Sequence, residues 1–242
     1  MNEELARAWA FMRRGDAAGD TEEPARLGVA VRDSRFPRRE DSNYLLVARP
    51  ATGADIAVEL RRLGLPLATV ADESLLLDES GSEVAHRGLV MVHRGAVPEA
   101  RREAVEVERE ALEPLRRGRI LSQPWGSPEV ADQLLAARTA LEERVAVRYF
   151  ASLENGEVAA GTDLYLGAPD AQIEDVSTEP ELLNRGHGTA VVVAAVAAAR
   201  EAGADFVFLV ADAGDWPKDW YARLGFEPVG RYVKLRAPTE GP

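Results

Sequence analysis

The run Arg185-Gly186-His187-Gly188-Thr189-Ala190 sets two glycines at alternate positions directly before the helix-prone stretch Val191 to Arg200. Glycine turns the backbone tightly without a Cβ clash, and the first turn of a helix leaves N–H groups without intrahelical partners. Those donors, the positive end of the helix dipole and the Arg185 guanidinium together suit an anion, and a diphosphate could accept hydrogen bonds from the helix start and from Arg185. Taken alone, a glycine turn before a helix is equally compatible with a tight connection that binds nothing. The dinucleotide fingerprint G-x-G-x-x-G fails, because the third glycine position is wrong and no acidic residue suitably follows a second strand to hold a ribose. A P-loop fails too, since Gly188 is followed by Thr189 and Ala190 with no lysine nearby.

The elements that must hold this turn can be read outward from it. Ala171 to Thr178 alternates apolar and polar residues as a half-buried strand does, and Asp205 to Ala211 reads as a buried strand. Asn155-Gly156 between two alternating runs predicts a hairpin pairing Arg148–Leu153 with Val158–Leu166, and Ala171–Thr178 joins as the next strand. Pro128 to Val145 predicts a helix that buries Val130, Leu134, Leu135 and Leu141, and Val105-Glu106-Val107 a first strand. Further upstream, Glu4 to Arg14 predicts a helix with Leu5, Trp9 and Met12 near one face, ended by Gly15-Asp16 and the acidic turn Gly19 to Pro24. Asn43 to Ala48 follows as a strand, Ala54 to Leu63 as a helix closed by Gly64, and Leu67–Val70 and Leu89–His93 as strands. The charged, proline-started stretch Pro98 to Glu103 marks a junction between a smaller α/β domain, residues 1–98, and a second domain, residues 99–242.

Composition narrows the function classes. The chain has 242 residues, 46% of them hydrophobic, with a formal net charge of -12, no cysteine and three histidines. The negative charge argues against a nucleic-acid partner and is compatible with a basic, amine-bearing substrate. No apolar run nears the roughly 18 residues of a membrane span, and the N-terminus lacks the pattern of a signal peptide, so the expectation is a cytoplasmic protein with no membrane partner. Without cysteine there is neither disulfide nor thiolate, and His86, His93 and His187 leave little for a metal, so no metal site is expected.

Arg185, Gly188 and Ala190 fit the pattern of Arg or Gln, two residues, Gly, one residue, then Gly or Ala, which resembles the acyl-CoA-binding core of the GNAT acetyltransferase superfamily. The resemblance runs on through Asp205–Val210 to Trp220-Tyr221-Ala222-Arg223-Leu224-Gly225-Phe226, similar to that family's L-Y-x-x-x-G-F signature with Trp in place of Leu. It covers about residues 145 to 236, with weaker similarity back to about residue 101. The implied fold class is α/β (α+β), a GNAT-type mixed, mostly antiparallel sheet flanked by helices, preceded by the smaller α/β domain. The element order of that first domain is similar to the second half of a GNAT fold, as in a degenerate copy. Where its glycine loop would fall stands Arg49-Pro50-Ala51-Thr52-Gly53-Ala54, in which proline removes a donor, so no CoA is expected there.

The resemblance implies acetyl-CoA as cofactor, with the backbone of Val176, Ser177 and Thr178 beside the pantetheine arm. Arg185, Gly186, His187, Gly188, Thr189 and Ala190 would surround the diphosphate, His187 as a loop residue touching phosphate, not as a metal ligand or base. Two departures stand out: the loop Glu181 to Asn184 is longer than is common, and the usual Asn after the fifth strand is missing. Asp212, Gly214 and Asp215 are its stand-ins, and Asp215 is carried as a cofactor-binding candidate.

Acyl transfer to an amine needs a group to take up the ammonium proton, because the protonated amine has no lone pair. Glu174 is the candidate base, on a strand resembling the corresponding strand of several GNAT enzymes. Its alternative is a solvated strand carboxylate. Glu174 and Asp175 cannot both face one side of a regular strand unless a bulge re-aims one of them. The departing CoA thiolate is better stabilised by a nearby donor, and Tyr221 is the candidate acid. Its alternative is a ring that only packs against the sheet beside Trp220. Trp216 and Trp220 are expected in the core ahead of the site, with a narrowing of the acyl-thioester tunnel as the alternative, and His86 and His93 in structural roles. The expected activity is an acetyl-CoA-dependent N-acetyltransferase acting on a primary amine of an unidentified acceptor, a small molecule ahead of a protein. The other class left open is a non-catalytic acyl-CoA-binding or sensing module. Monomer and homodimer both stay open.

Overall fold

Asn2 opens the first helix, α1 (Glu3–Arg14), by accepting the Leu5 N–H on Oδ1 at 2.9 Å, and the helix buries Leu5, Ala8, Trp9, Phe11 and Met12. The computed structural model describes residues 1–15 and 17–238; Asp16 of the expected turn Gly15-Asp16, and residues 239–242, lie outside the described residues. Then follow β1 (Thr21–Ala25), β2 (Gly28–Arg32), β3 (Tyr44–Val47), β4 (Ala51–Thr52), α2 (Gly53–Leu63), β5 (Leu67–Val70), β6 (Leu76–Asp78) and β7 (Glu83–His93). The remainder is β8 (Val105–Val107), α3 (Arg109–Leu121), α4 (Pro128–Leu141), β9 (Ala146–Glu154), β10 (Glu157–Gly167), β11 (Asp170–Thr178), α5 (His187–Glu201), β12 (Phe206–Asp212), α6 (Pro217–Arg223) and β13 (Phe226–Arg236). Among the described residues no helix is long and apolar enough to cross a membrane.

By contacts the chain divides into two compact units. One holds Met1–Val90, Ala211–Lys218 and the chain from Pro228 onward; the other holds Met91–Val210 and Asp219–Glu227. The first crossing falls inside β7, whereas the sequence boundary is drawn at 98/99, and two late segments return to the first unit. Sheet pairing joins residues far apart in sequence, which a linear cut cannot express.

In the first unit the strand order is β1-β2-β3-β5-β13-β7, with β3 and β5 parallel and β13 antiparallel to β5. Leu45, Val47, Ile56, Leu60, Ala68, Val70, Val233 and Leu235 form its core. The stretch Gly19 to Pro24, expected as a turn, instead leads into β1, an exposed edge strand in which Pro24 faces Val29 of β2. An edge strand open to solvent carries no apolar alternation, and proline is tolerated there, so neither signal was legible. In α2, Thr52 and Asp55 form a capping box and Gly64 closes the helix at φ 64°.

Glu59 on α2 is buried, 1% exposed, and accepts from Arg62 Nη2 at 2.8 Å and from the Arg26 N–H at 2.9 Å. The Arg62 hydrogen bond, helped by the Arg26 N–H, outweighs burial and holds its carboxyl at about 2. A carboxyl depressed on folding stabilises the fold above its unfolded value of about 4.3, and that stability is lost as pH falls toward 2. Thermal melts across pH 2 to 6 are therefore expected to show an acid slope that is shallower in a Glu59→Gln variant.

In the second unit the order is β12-β11-β10-β9-β8, antiparallel except where β11 meets β12. Asn155 and Gly156 take φ 55° and 86°, the left-handed pair that a tight hairpin requires, and Val158 pairs with Leu153 as expected. Helices cover both faces of this sheet. A Cβ on Gly161 would come within 2.7 Å of Leu112 of α3, while Ser152, opposite Ala160, bonds His187 of α5. Helix α3 was not foreseen, because Pro114 and Gly118 interrupt its pattern; α4 buries Leu135 and Leu141 as expected, leaves Val130 and Leu134 half-buried, and stops at Leu141.

Candidate active site

Opposite Thr162 of β10, the strand β11 carries two residues, Asp175 and Val176, because the register passes from Asp163↔Glu174 to Gly161↔Ser177. This is a β-bulge, and Asp175 sits in it at φ 53°. Directly opposed residues share a face, so Glu174 lies on the side of Asp163 and Ser177 on the side of Gly161, both toward α3. The bulge brings Asp175 to that side as well. Its carboxylate meets Arg138 Nη2 at 2.7 Å, Arg116 Nε at 3.2 Å and Arg119 Nη1 at 3.3 Å, all from α3 and α4. The face conflict between Glu174 and Asp175 is thus resolved by the bulge.

Asp163, 1% exposed, also pairs with Arg116 and Arg138 and accepts from the Tyr165 hydroxyl at 3.4 Å. Arg116, 3% exposed, stacks over the Tyr149 ring at 5.2 Å. Arg119 Nη1 donates further to Ser177 Oγ at 2.6 Å and to the Val176 carbonyl at 3.3 Å. The Glu174 carbonyl accepts from Thr162 Oγ1 at 2.9 Å, and its Oε2 accepts from Gln172 Nε2 at 2.8 Å. None of these arginines was singled out in the sequence, where α3 itself was hidden; their spacing as Arg116 and Arg119 on one helix was the available signal.

The parallel register of β11 with β12 runs from Asp170↔Phe206 to Ile173↔Leu209 and stops there, just before the bulge. Beyond it, Val176, Ser177 and Thr178 lead to the turn, and α5 begins with Gly186 as its N-cap at φ 91°. Glycine is needed here, since side-chain-bearing residues rarely adopt this backbone, and it leaves the helix with no side-chain cap. Ala190 N–H reaches the Gly186 carbonyl at 3.0 Å, so the earlier N–H groups, of His187, Gly188 and Thr189, are the helix's open donors. Gly188 permits a close approach: a Cβ there would lie 3.2 Å from Thr178 Oγ1 and 3.4 Å from Trp220.

Arg185 is exposed beside the turn, its carbonyl accepting from Arg102 Nε at 2.7 Å, and Arg102 Nη1 also meets Glu154 at 2.6 Å. The His187 side chain does not stand in the open turn. It is fully buried, with Nδ1 2.9 Å from Ser152 Oγ and Nε2 3.6 Å from Glu154, and burial pulls its pKa below the ordinary value. Only its backbone N–H belongs to the turn.

Tyr221 of α6 is 8% exposed, its ring edge-on to Phe226 at 5.9 Å and tilted on Trp220 at 4.7 Å. Burial first, and the Glu174 carboxylate second, push its phenol well above the ordinary value. Among the described residues its hydroxyl has no hydrogen-bond partner. Asp215 and Asp212 fall in the segment grouped with the first unit. Asp215 Oδ1 accepts the Trp216 N–H at 2.7 Å, and Asp212 accepts the Gly214 N–H at 2.7 Å and lies 3.3 Å from His86. Trp216 is exposed, not in a core; Trp220 is half-buried, with Nε1 3.4 Å from Thr189 Oγ1. His93 is buried against Phe226.

The second unit thus joins a mixed sheet, one strand of which parts from its neighbour at a bulge, to an uncapped helix started by glycine, the arrangement that the resemblance implies. Residues 110–226 match the model of the acetyltransferase (GNAT) family, and this part of the chain belongs to that family. The match takes in α3 and α4, ahead of the segment where the resemblance was clear in sequence. Over nearly its whole length the chain is similar to a GCN5-related N-acetyltransferase from Kribbella flavida, with TM-score 0.67, 18% identity, and 99% of this chain and 97% of that chain covered. A functionally unknown conserved protein from Staphylococcus epidermidis is similar with TM-score 0.64 and 18% identity, over 93% of this chain and 95% of that chain. A tandem GNAT protein from the clavulanic acid biosynthesis pathway is similar with TM-score 0.52 and 16% identity, over 93% and 86%. At these identities the likeness is one of fold. No protein of curated function matches the sequence significantly.

Proposed function

We propose that this protein is an acetyl-CoA-dependent N-acetyltransferase acting on a primary amine of a small molecule. The observation that carries the reading is the convergence, within one unit, of the β11 bulge, the uncapped start of α5 and a buried tyrosine that senses Glu174 electrostatically. The residues fit an acyl-CoA: the N–H groups of His187, Gly188 and Thr189 with Arg185 suit a diphosphate, and the backbone from Val176 to Thr178, past the end of the β12 register, suits the pantetheine amides. When bound, acetyl-CoA supplies an acyl thioester. Glu174 accepts the ammonium proton, directly or through water. Tyr221, kept protonated by its raised pKa, donates to the sulfur as it leaves. In this reading the first unit holds no second CoA, because the donors at the start of α2 are met by the Thr52 and Asp55 capping box.

The test is direct, since the chain has no cysteine to react with a thiol reagent. Purified protein with acetyl-CoA and a panel of primary amines is expected to release free CoA only in the presence of an accepted amine, with the acetylated product seen by mass spectrometry. Tight acetyl-CoA binding by calorimetry, with no thioester loss over the whole panel, would instead make it a non-catalytic acyl-CoA-binding module.

A further inference from the structure

We propose that Asp175 together with Arg116 and Arg138 forms a clamp that fixes the β11 bulge and so aims Glu174, which makes the two arginines positioning residues. The proposal rests on the reading of Glu174 as the proton acceptor. A left-handed φ at a residue other than glycine is held only when its surroundings over-determine it, and Asp175 at φ 53° is held from three sides by Arg116, Arg119 and Arg138. On a regular strand Asp175 would point to the opposite face, toward α5, and its carboxylate would leave these partners. Asp163 ties the same two arginines to the neighbouring strand at the position directly opposite Glu174. Being 1% exposed, Asp163 cannot release them without leaving a buried charge unpaired. The arginines thus tie a carboxylate just before the register step to one within it. Slipping β11 by one residue would separate those carboxylates and turn part of the strand to the other face. Glu174 and Ser177 share the α3 side only because the extra residue is accommodated between them.

The experiment compares Asp175→Ala with Asp175→Asn in the full chain. Asparagine is nearly isosteric, tolerates the left-handed region and can still accept from a guanidinium; alanine does none of these. Crystal structures are expected to keep two residues opposite Thr162 in the Asn variant and to lose that register in the Ala variant. With an accepted amine, the Ala variant is expected to lose roughly 10²-fold in kcat, the scale set by a small misplacement of a reacting group. The acid limb of its kcat/KM profile should be displaced, while the Asn variant keeps the wild-type profile. A folded but merely loosened protein would not move that limb. If the Ala variant does not fold, Arg138→Met removes one arm from the clamp without touching the strand and is read in the same way. An intact bulge in the Ala variant, or wild-type kcat and pH profile without it, overturns the clamp. A wild-type protein inert toward every amine overturns the acetyltransferase reading instead, and the crystal comparison still decides the clamp.

Discussion

Replacing Tyr221 by Phe is expected to lower kcat by roughly 10² to 10⁴-fold, the range of a positioned general acid, while acetyl-CoA affinity stays within a few-fold. The ring is held by Phe226 and Trp220, contacts that Phe preserves, and the hydroxyl has no hydrogen-bond partner among the described residues. The substitution therefore removes only the group proposed to meet the sulfur, and the melting temperature should hardly move. The sign of the pKa shift matters. Burial and the nearby Glu174 carboxylate raise the phenol above its ordinary value, so it stays protonated at neutral pH and up to at least about pH 10. Tyr221 should then contribute no alkaline limb below that pH. Steady-state kinetics over pH 6 to 10 check both statements; a Phe variant with full turnover would remove Tyr221 as the acid.

The second large effect is expected at Gly188. Gly188→Asp should weaken acetyl-CoA binding by about 100-fold or more, because a carboxylate in the first turn of α5 competes with the diphosphate for the same open N–H groups. An acidic residue there suits the helix dipole, so the folded protein should not be destabilised by its charge. Sterics must be separated from charge, since a Cβ at this position meets Thr178 Oγ1 at 3.2 Å. Gly188→Ala adds that Cβ alone and is expected to cost only a few-fold in affinity, as the Thr178 side chain gives by a few tenths of an ångström. Calorimetric titrations at low and high salt provide the check. The gap between the two variants should narrow as salt screens the carboxylate, and equal affinities for Ala and Asp would mean that no anion binds this helix start.

Much of the second unit was legible in the sequence. The Asn155-Gly156 hairpin, the alternating strand that became β11, the helix α5 and the strand β12 each follow from local rules of turn chemistry and periodicity. In the first unit α2 and β5 were equally plain, down to the Gly64 cap. What stayed hidden had weak local signals: β1 is exposed along its length, and α3 contains a proline and a glycine. The burial of His187 was also missed, because a residue in a glycine turn gives no local sign of which way its ring will face.

The sequence by itself determined that a glycine turn opens a helix after an alternating strand, and that Glu174 and Tyr221 flank it in chain order. Chain-local physics suffices for that, since φ freedom, helix ends and strand alternation depend on neighbours a few residues away. Only the tertiary structure decided that Asp175 turns to the same side as Glu174, that three arginines from helices about 35 to 60 residues upstream meet it there, and that the Tyr221 hydroxyl has no hydrogen-bond partner among the described residues. Those facts depend on pairing register and on the burial of charge, which are set by residues remote in sequence that become neighbours only when the sheet and its covering helices assemble.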